Sequence, residues 1–247
     1  MDIISLLAVA TAAFLFAGTV KGLVGMGLPT AAIGTMTLLI EPRLAVAIII
    51  LPMIVSNAWQ VYRMGHIRRT LWRYRWFILI SMVVVFGTLL ASAEVSDKVL
   101  YGVAGTIILI FVATNLGPKP PRLPERLDSI GQFIFGILAG IAGGLTAMWA
   151  PPIAIYLMMR DADKDEFVRG SGLLIFMASI PLAVGYLQIG QLPRGVALIS
   201  ALMIVPTLLG FSLGEKLRAH LSPARFRIAL LVVFFFLGLN LLRRAFF

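Results

Sequence analysis

The residues best placed to do chemistry here are backbone rather than reactive side chains. Gly22-Leu23-Val24-Gly25-Met26-Gly27-Leu28-Pro29 lies between two apolar runs. It returns in altered form as Gly140-Ile141-Ala142-Gly143-Gly144, closing with Pro151-Pro152. In a helix interior glycine costs about 1 kcal/mol relative to alanine and proline about 3, so each stretch predicts a broken helix. At membrane depth such breaks survive only where the freed backbone is buried in protein or lines a cavity. Paired breaks in two halves of a chain mark a transporter site. A helix restarting near Leu28–Thr30 or Ala150–Ile153 presents unpaired N–H groups and about half a positive charge, a cradle for an anion. Glycine lets backbone approach the ligand closely. The expected binding residues are therefore Gly22, Gly25, Gly27, Pro29 and Thr30 in the first stretch, and Gly140, Gly143, Gly144, Thr146, Trp149 and Pro151 in the second. The competing explanation is that the glycines are close-packing positions between helices.

Lys21 adds a side chain to this set. It is the one charge that cannot be assigned to a loop or a terminus, and a charge inside a membrane is a functional residue by default. The alternative is a lysine snorkelling from a helix end. Asn57, with Ser56 and Gln60, can donate hydrogen bonds to an oxyanion or join helices, as can Thr114 and Asn115. His66 and His220 sit in basic segments and read as solvated or headgroup residues. No His, Asp or Glu cluster has metal-ligand spacing, no nucleophile–base pair is visible, and no phosphate-binding loop occurs. We expect neither metal, cofactor nor enzyme activity.

These residues must be held by membrane-spanning elements. The chain has 247 residues, is 60% hydrophobic and only 13% charged, with mean hydropathy +0.99; soluble domains carry about 25% charged residues. A net charge of +10 raises nucleic acid as a partner. The basic residues cluster in short loops between apolar runs, however, the pattern that orients membrane proteins. Ile3 to Ala17 resembles a signal-peptide core. It follows Asp2 with no basic residue and runs on into the glycine stretch, so a retained helix is expected. The absence of cysteine excludes disulfides and thiol chemistry.

Apolar runs cover Ile3–Val20, Pro29–Ile40, Leu44–Tyr62, Trp76–Ala93 and Val99–Leu116, then Ile130–Ile141, Ile153–Met159, Val168–Gln188, Gly195–Leu213 and Ile228–Leu242. Between the two sets lies a Pro-rich linker. The domain expectation is a first repeat over 1–117, a cytoplasmic linker over 118–128 and a second, inverted repeat over 129–247. Arg63–Arg75, with five arginines and no acid, should be cytoplasmic, and slightly acidic Glu94–Lys98 outside. An odd count of about five segments per half inverts the second half. The basic Glu215–Arg227 then falls inside with most other lysines and arginines, while Arg243 and Arg244 fall outside. The fold class is all-α: a polytopic membrane protein of two inverted-topology repeats, with broken or re-entrant helices meeting near the midplane.

The duplicated pattern, Gly22, Gly25, Gly27 and Pro29 followed by Gly140, Gly143, Gly144 and Pro151, resembles the TauE/SafE (sulfite exporter, TSUP) family over essentially the whole chain. The resemblance implies a secondary transporter moving sulfite, sulfoacetate or another organosulfonate across the bacterial cytoplasmic membrane. Its partners would be that small anionic sulfur-containing substrate and the lipid bilayer, with no nucleic acid, and a homo-oligomer is compatible with it. The residues alone leave open a transporter or channel for another anion, a carboxylate or a cation held by backbone carbonyls, and a non-transporting scaffold subunit.

Overall fold

Almost every apolar run of the sequence is helical, and the breaks are shorter than the glycine-rich stretches that announce them. The computed structural model describes residues 3–117, 120–220 and 223–246, and the side chains of all of these except 3, 218–220, 223–227, 229 and 230. Pro118 and Lys119 of the linker, and the side chains of Arg218, His220, Arg225 and Arg227, lie outside the described residues.

The first half contains α1 (Ile3–Val24), α2 (Leu28–Met36), α3 (Pro42–Met64), α4 (Ile67–Arg73), α5 (Arg75–Ala91) and α6 (Asp97–Leu116). The second contains α7 (Asp128–Thr146), α8 (Ala150–Met159), α9 (Lys164–Gln188), α10 (Arg194–Leu202), α11 (Ile204–His220) and α12 (Pro223–Phe246). No strand occurs among the described residues. Among the described residues, six segments are long and apolar enough to cross a membrane: 4–24, 42–64, 97–116, 125–146, 164–188 and 194–217. The pair α4 and α5, bent by 75°, passes the same test as one broken span. The chain is thus an all-α polytopic membrane protein. At 9 and 10 residues, α2 and α8 rise only about 15 Å, half of a hydrocarbon core of about 30 Å.

The helix ends follow from local chemistry. Pro42 opens α3 at a position where its missing N–H is no loss. The Asp163 carboxylate accepts a hydrogen bond from the Glu166 N–H (2.8 Å) and caps α9. Charged segments expected to be loops are largely helical: α4 occupies most of Arg63–Arg75, and α11 and α12 take up the described residues of Glu215–Arg227.

The glycines set the packing. A Cβ on Gly22 would lie 2.2 Å from the Phe211 carbonyl oxygen, and one on Gly214 would lie 2.2 Å from that of Thr19. Gly18 and Gly210 make the same contact one turn earlier, so α1 and α11 meet glycine against backbone. The second half mirrors this. Gly136, Gly140 and Gly144 of α7, four residues apart, lie against Ile80, Val84 and Thr88 of α5. The small-residue spacing lets the backbones approach, and dispersion over that area replaces the hydrophobic drive that lipid does not supply. This close packing offsets the propensity cost of glycine. It is why α1 runs on to Val24 and α7 to Thr146, through glycines expected to end them. Elsewhere α3 packs on α9 and α6 on α12.

Polar links tie the chain ends of the helices into two separate faces. On one, Arg63 pairs with Glu215, Arg73 with Glu166, Arg160 with Asp128, and Arg122 with Asp161. On the other, Arg43 donates to the Ser92 and Val95 carbonyls (3.0 and 2.6 Å), while Arg244 stacks on Tyr101 and donates to the Thr37 carbonyl.

Candidate functional site

The first break is two left-handed glycines. Gly25 has φ 89° and Gly27 φ 98°, a region that side chains other than glycine rarely enter. Gly27 caps α2 and Pro29 sits in its first turn. Because proline has no N–H, the free donors of that turn are those of Leu28 and Thr30, the Ala31 N–H being spent on the Gly27 carbonyl (2.9 Å).

Lys21, in the last turn of α1, is 1% exposed. Its ammonium donates to Asn57 Oδ1 at 2.5 Å, and no carboxylate among the described residues is paired with it. Asn57 is oriented by its own Nδ2, which donates to the Met53 carbonyl (2.8 Å). One turn further along α3, Gln60 Nε2 donates to the Gly25 carbonyl (3.0 Å) and to the Val168 carbonyl of α9 (2.7 Å). Gln60 therefore binds the broken end of α1 to the start of α9.

Beside these groups lies a cavity of about 120 Å³, well above the ~15 Å³ a single water needs. Lys21, Gly22 and Gly25 line it from the break; Gln60, Arg63 and Met64 from α3; Val168 from α9; Phe211 and Glu215 from α11. Arg63 and Glu215 pair across it at 2.6 Å and are both part exposed. A buried ammonium without a counter-charge bears a desolvation cost of several kcal/mol that an anion would offset. The site is thus a small pocket with a fixed cation at its base, broken backbone at its wall and an ion pair at its rim.

The second break is built differently. Ala147 takes the left-handed conformation (φ 54°). The Trp149 indole covers Gly143 so closely that a Cβ there would lie 1.9 Å from Nε1. Trp149 is 1% exposed and its Nε1 has no partner; Thr30, fully buried, likewise has an unpartnered hydroxyl. Pro151 and Pro152 together remove two donors from the first turn of α8, and the Ile153 N–H bonds the Trp149 carbonyl (3.2 Å). The Thr146 hydroxyl is spent on the Ala142 carbonyl (2.8 Å).

Of the residues expected from sequence, Lys21, Gly22 and Gly25 line this pocket and Asn57 holds Lys21 beside it, with Gly27, Pro29 and Thr30 just beyond the break. Gly140 and Gly144 face α5. Gly143, Thr146, Trp149 and Pro151 form the second break, which no described hydrogen bond or ring contact links to the first. Both half-helices pack against α6: α2 also on α1, α3 and α12, and α8 also on α7 and α9.

A family model described as sulfite exporter TauE/SafE matches residues 10–241. The chain belongs to that family. It is therefore a membrane transporter, not an enzyme. Neither the curated proteins nor the solved structures contain a significant match. The match takes in both breaks, the fixed cation and both partners of the rim pair. In this TauE/SafE chain, sequence reasoning missed Arg63 and Glu215 as pocket residues and left Gln60 open between an oxyanion donor and a link between helices. A signal existed for one side: Asn57, Gln60 and Met64 recur at helical spacing on the α3 face that meets Lys21. Nothing local in the sequence points to Glu215, which arrives only because α11 packs on α1.

Proposed function

We propose that the protein is a secondary transporter for a small sulfur-containing anion, such as sulfite or an organosulfonate, in the bacterial cytoplasmic membrane. Lys21 carries the reading: a buried, counter-charge-free ammonium lining a cavity at a helix break. Family membership supports a sulfur oxyanion as the cargo. The arginine-rich loops, cross-linked on one face, support a cytoplasmic placement of that face. The exchanged pairing of halves (α1 with α11, α7 with α5) supports a two-repeat arrangement over 1–117 and 129–247 with inverted topology. The anion would draw the Lys21 ammonium away from Asn57 Oδ1, leaving the lysine as a donor to it, with the Leu28 and Thr30 N–H groups within the same broken segment.

The test is uptake of labelled sulfite and sulfoacetate into liposomes holding the purified protein. Saturable uptake that falls at least tenfold in Lys21→Gln, with the variant still eluting as a folded species, is the expected result. Unchanged substrate affinity in Lys21→Gln would remove the lysine from the site.

A further inference from the structure

The pocket carries one acceptor that nothing in the fold uses. Gln60 donates both of its described hydrogen bonds through Nε2, to the carbonyls of Gly25 and Val168. Two carbonyl acceptors fix which end of the amide is nitrogen, because the opposite assignment would set oxygen against oxygen at both contacts. Its Oε1 is consequently an acceptor, buried and without a partner, on a residue that is 3% exposed and lines the cavity. A buried acceptor left unpaired is costly, and a ligand bringing a donor to it removes that cost.

The charges around the cavity make a second, separate statement. Among the described residues, the ionisable groups that line it are Lys21, Arg63 and Glu215. Glu215 is neutralised by Arg63, which leaves Lys21 as the one uncompensated positive charge among the described lining residues. The lining thus balances one negative charge rather than two, and a dianion would retain a desolvated excess charge.

We infer that this pocket selects a singly charged oxyanion still carrying a proton, hydrogensulfite rather than the sulfite dianion or a sulfonate, with Gln60 Oε1 accepting the anion's O–H and Lys21 facing its negative oxygens. This rests on the transport reading above and narrows its cargo. Proton movement then accompanies transport as part of the substrate itself, with no carboxylate carrier required. Sulfonates are monoanions or, like sulfoacetate, dianions at neutral pH, and have no proton to offer Gln60. Selection by an unsatisfied buried acceptor is steep, since a site built for a donor rejects analogues that lack it far more strongly than a hydrophobic pocket rejects a misfit.

The experiment measures initial uptake of labelled sulfite by the full-length protein in liposomes across neutral pH, corrected for protein-free vesicles, with methanesulfonate as competitor. KM expressed as hydrogensulfite should stay constant. KM expressed as total sulfite should rise about tenfold per pH unit on the alkaline side, following the protonated fraction. Methanesulfonate should compete at least tenfold more weakly than sulfite. In Gln60→Leu, isolated as a folded species, sulfite uptake should weaken and that discrimination should collapse towards unity. If Gln60→Leu does not fold, the wild-type pH series and competition decide alone. Uptake tracking the dianion, or equal competition by methanesulfonate, overturns the inference while leaving a transporter. No uptake of any sulfur oxyanion at any pH overturns the transport reading instead.

Discussion

At the residue scale the two breaks solve one problem in two ways. In the first, the space at the turn is kept open by Gly25 and bordered by Lys21. In the second, the space over Gly143 is filled by an indole. Gly143→Ala drives a methyl group into the Trp149 ring. Overpacking of this kind costs about 1–3 kcal/mol. The variant should melt several degrees lower, and a shift in tryptophan emission should report the displaced ring; an unchanged spectrum and melting temperature would mean the indole is not seated there. Gly25→Ala meets both a positive φ and Val168 at 2.9 Å. Its effect should appear in transport as well as in stability, because the same turn walls the cavity.

At the element scale the close-packed helix pairs decide what a glycine is for. Gly22→Leu or Gly214→Leu would force α1 and α11 apart and should abolish recovery of monodisperse protein. Gly87, on α5 with nothing within 4 Å of a Cβ, is the contrast. Gly87→Ala should leave stability unchanged or raise it by up to about 1 kcal/mol, read as a higher melting temperature in detergent. This distinction also shows where the sequence was readable. Apolar periodicity and length located the spans, and the Gly25/Gly27/Pro29 cluster located a true break. Gly140 and Gly144 look alike on paper to Gly25, but they pack against α5 instead of turning the chain. Only the partner helix separates the two uses, and no local pattern records which helix that is. The α4 helix was hidden for a related reason: five arginines read as a loop, although α4 turns 75° to meet α5 and buries Thr70 alone.

At the scale of the whole molecule, the ion pair across the pocket joins α3 to the unit formed by α1 and α11. Removing either partner should loosen that face, and reversing both should restore it. Arg63→Glu and Glu215→Arg are each expected to lower transport severalfold, with recovery in the double exchange. Transport in the double exchange no better than in the worse single variant would show that the pair does not act as a unit. The absence of native cysteine makes the same face open to labelling: Val168→Cys should react faster with a membrane-impermeant thiol reagent when Glu215→Gln is also present. The charges themselves were plain in the sequence, whereas their pairing was not, since Glu215 lies at the far end of the chain from Lys21 and Arg63.

The packing of α1 on α11 also sets a timetable. The ribosome delivers Lys21 and its row of glycines first and their covering helix almost last. At about 5–20 residues per second, α1 waits on the order of ten to forty seconds with a bare backbone stripe unmatched in the lipid, although Asn57 reaches Lys21 much sooner. A nascent chain interrupted after the linker should accordingly be a substrate for membrane quality control, and the second half supplied as a separate polypeptide should rescue it.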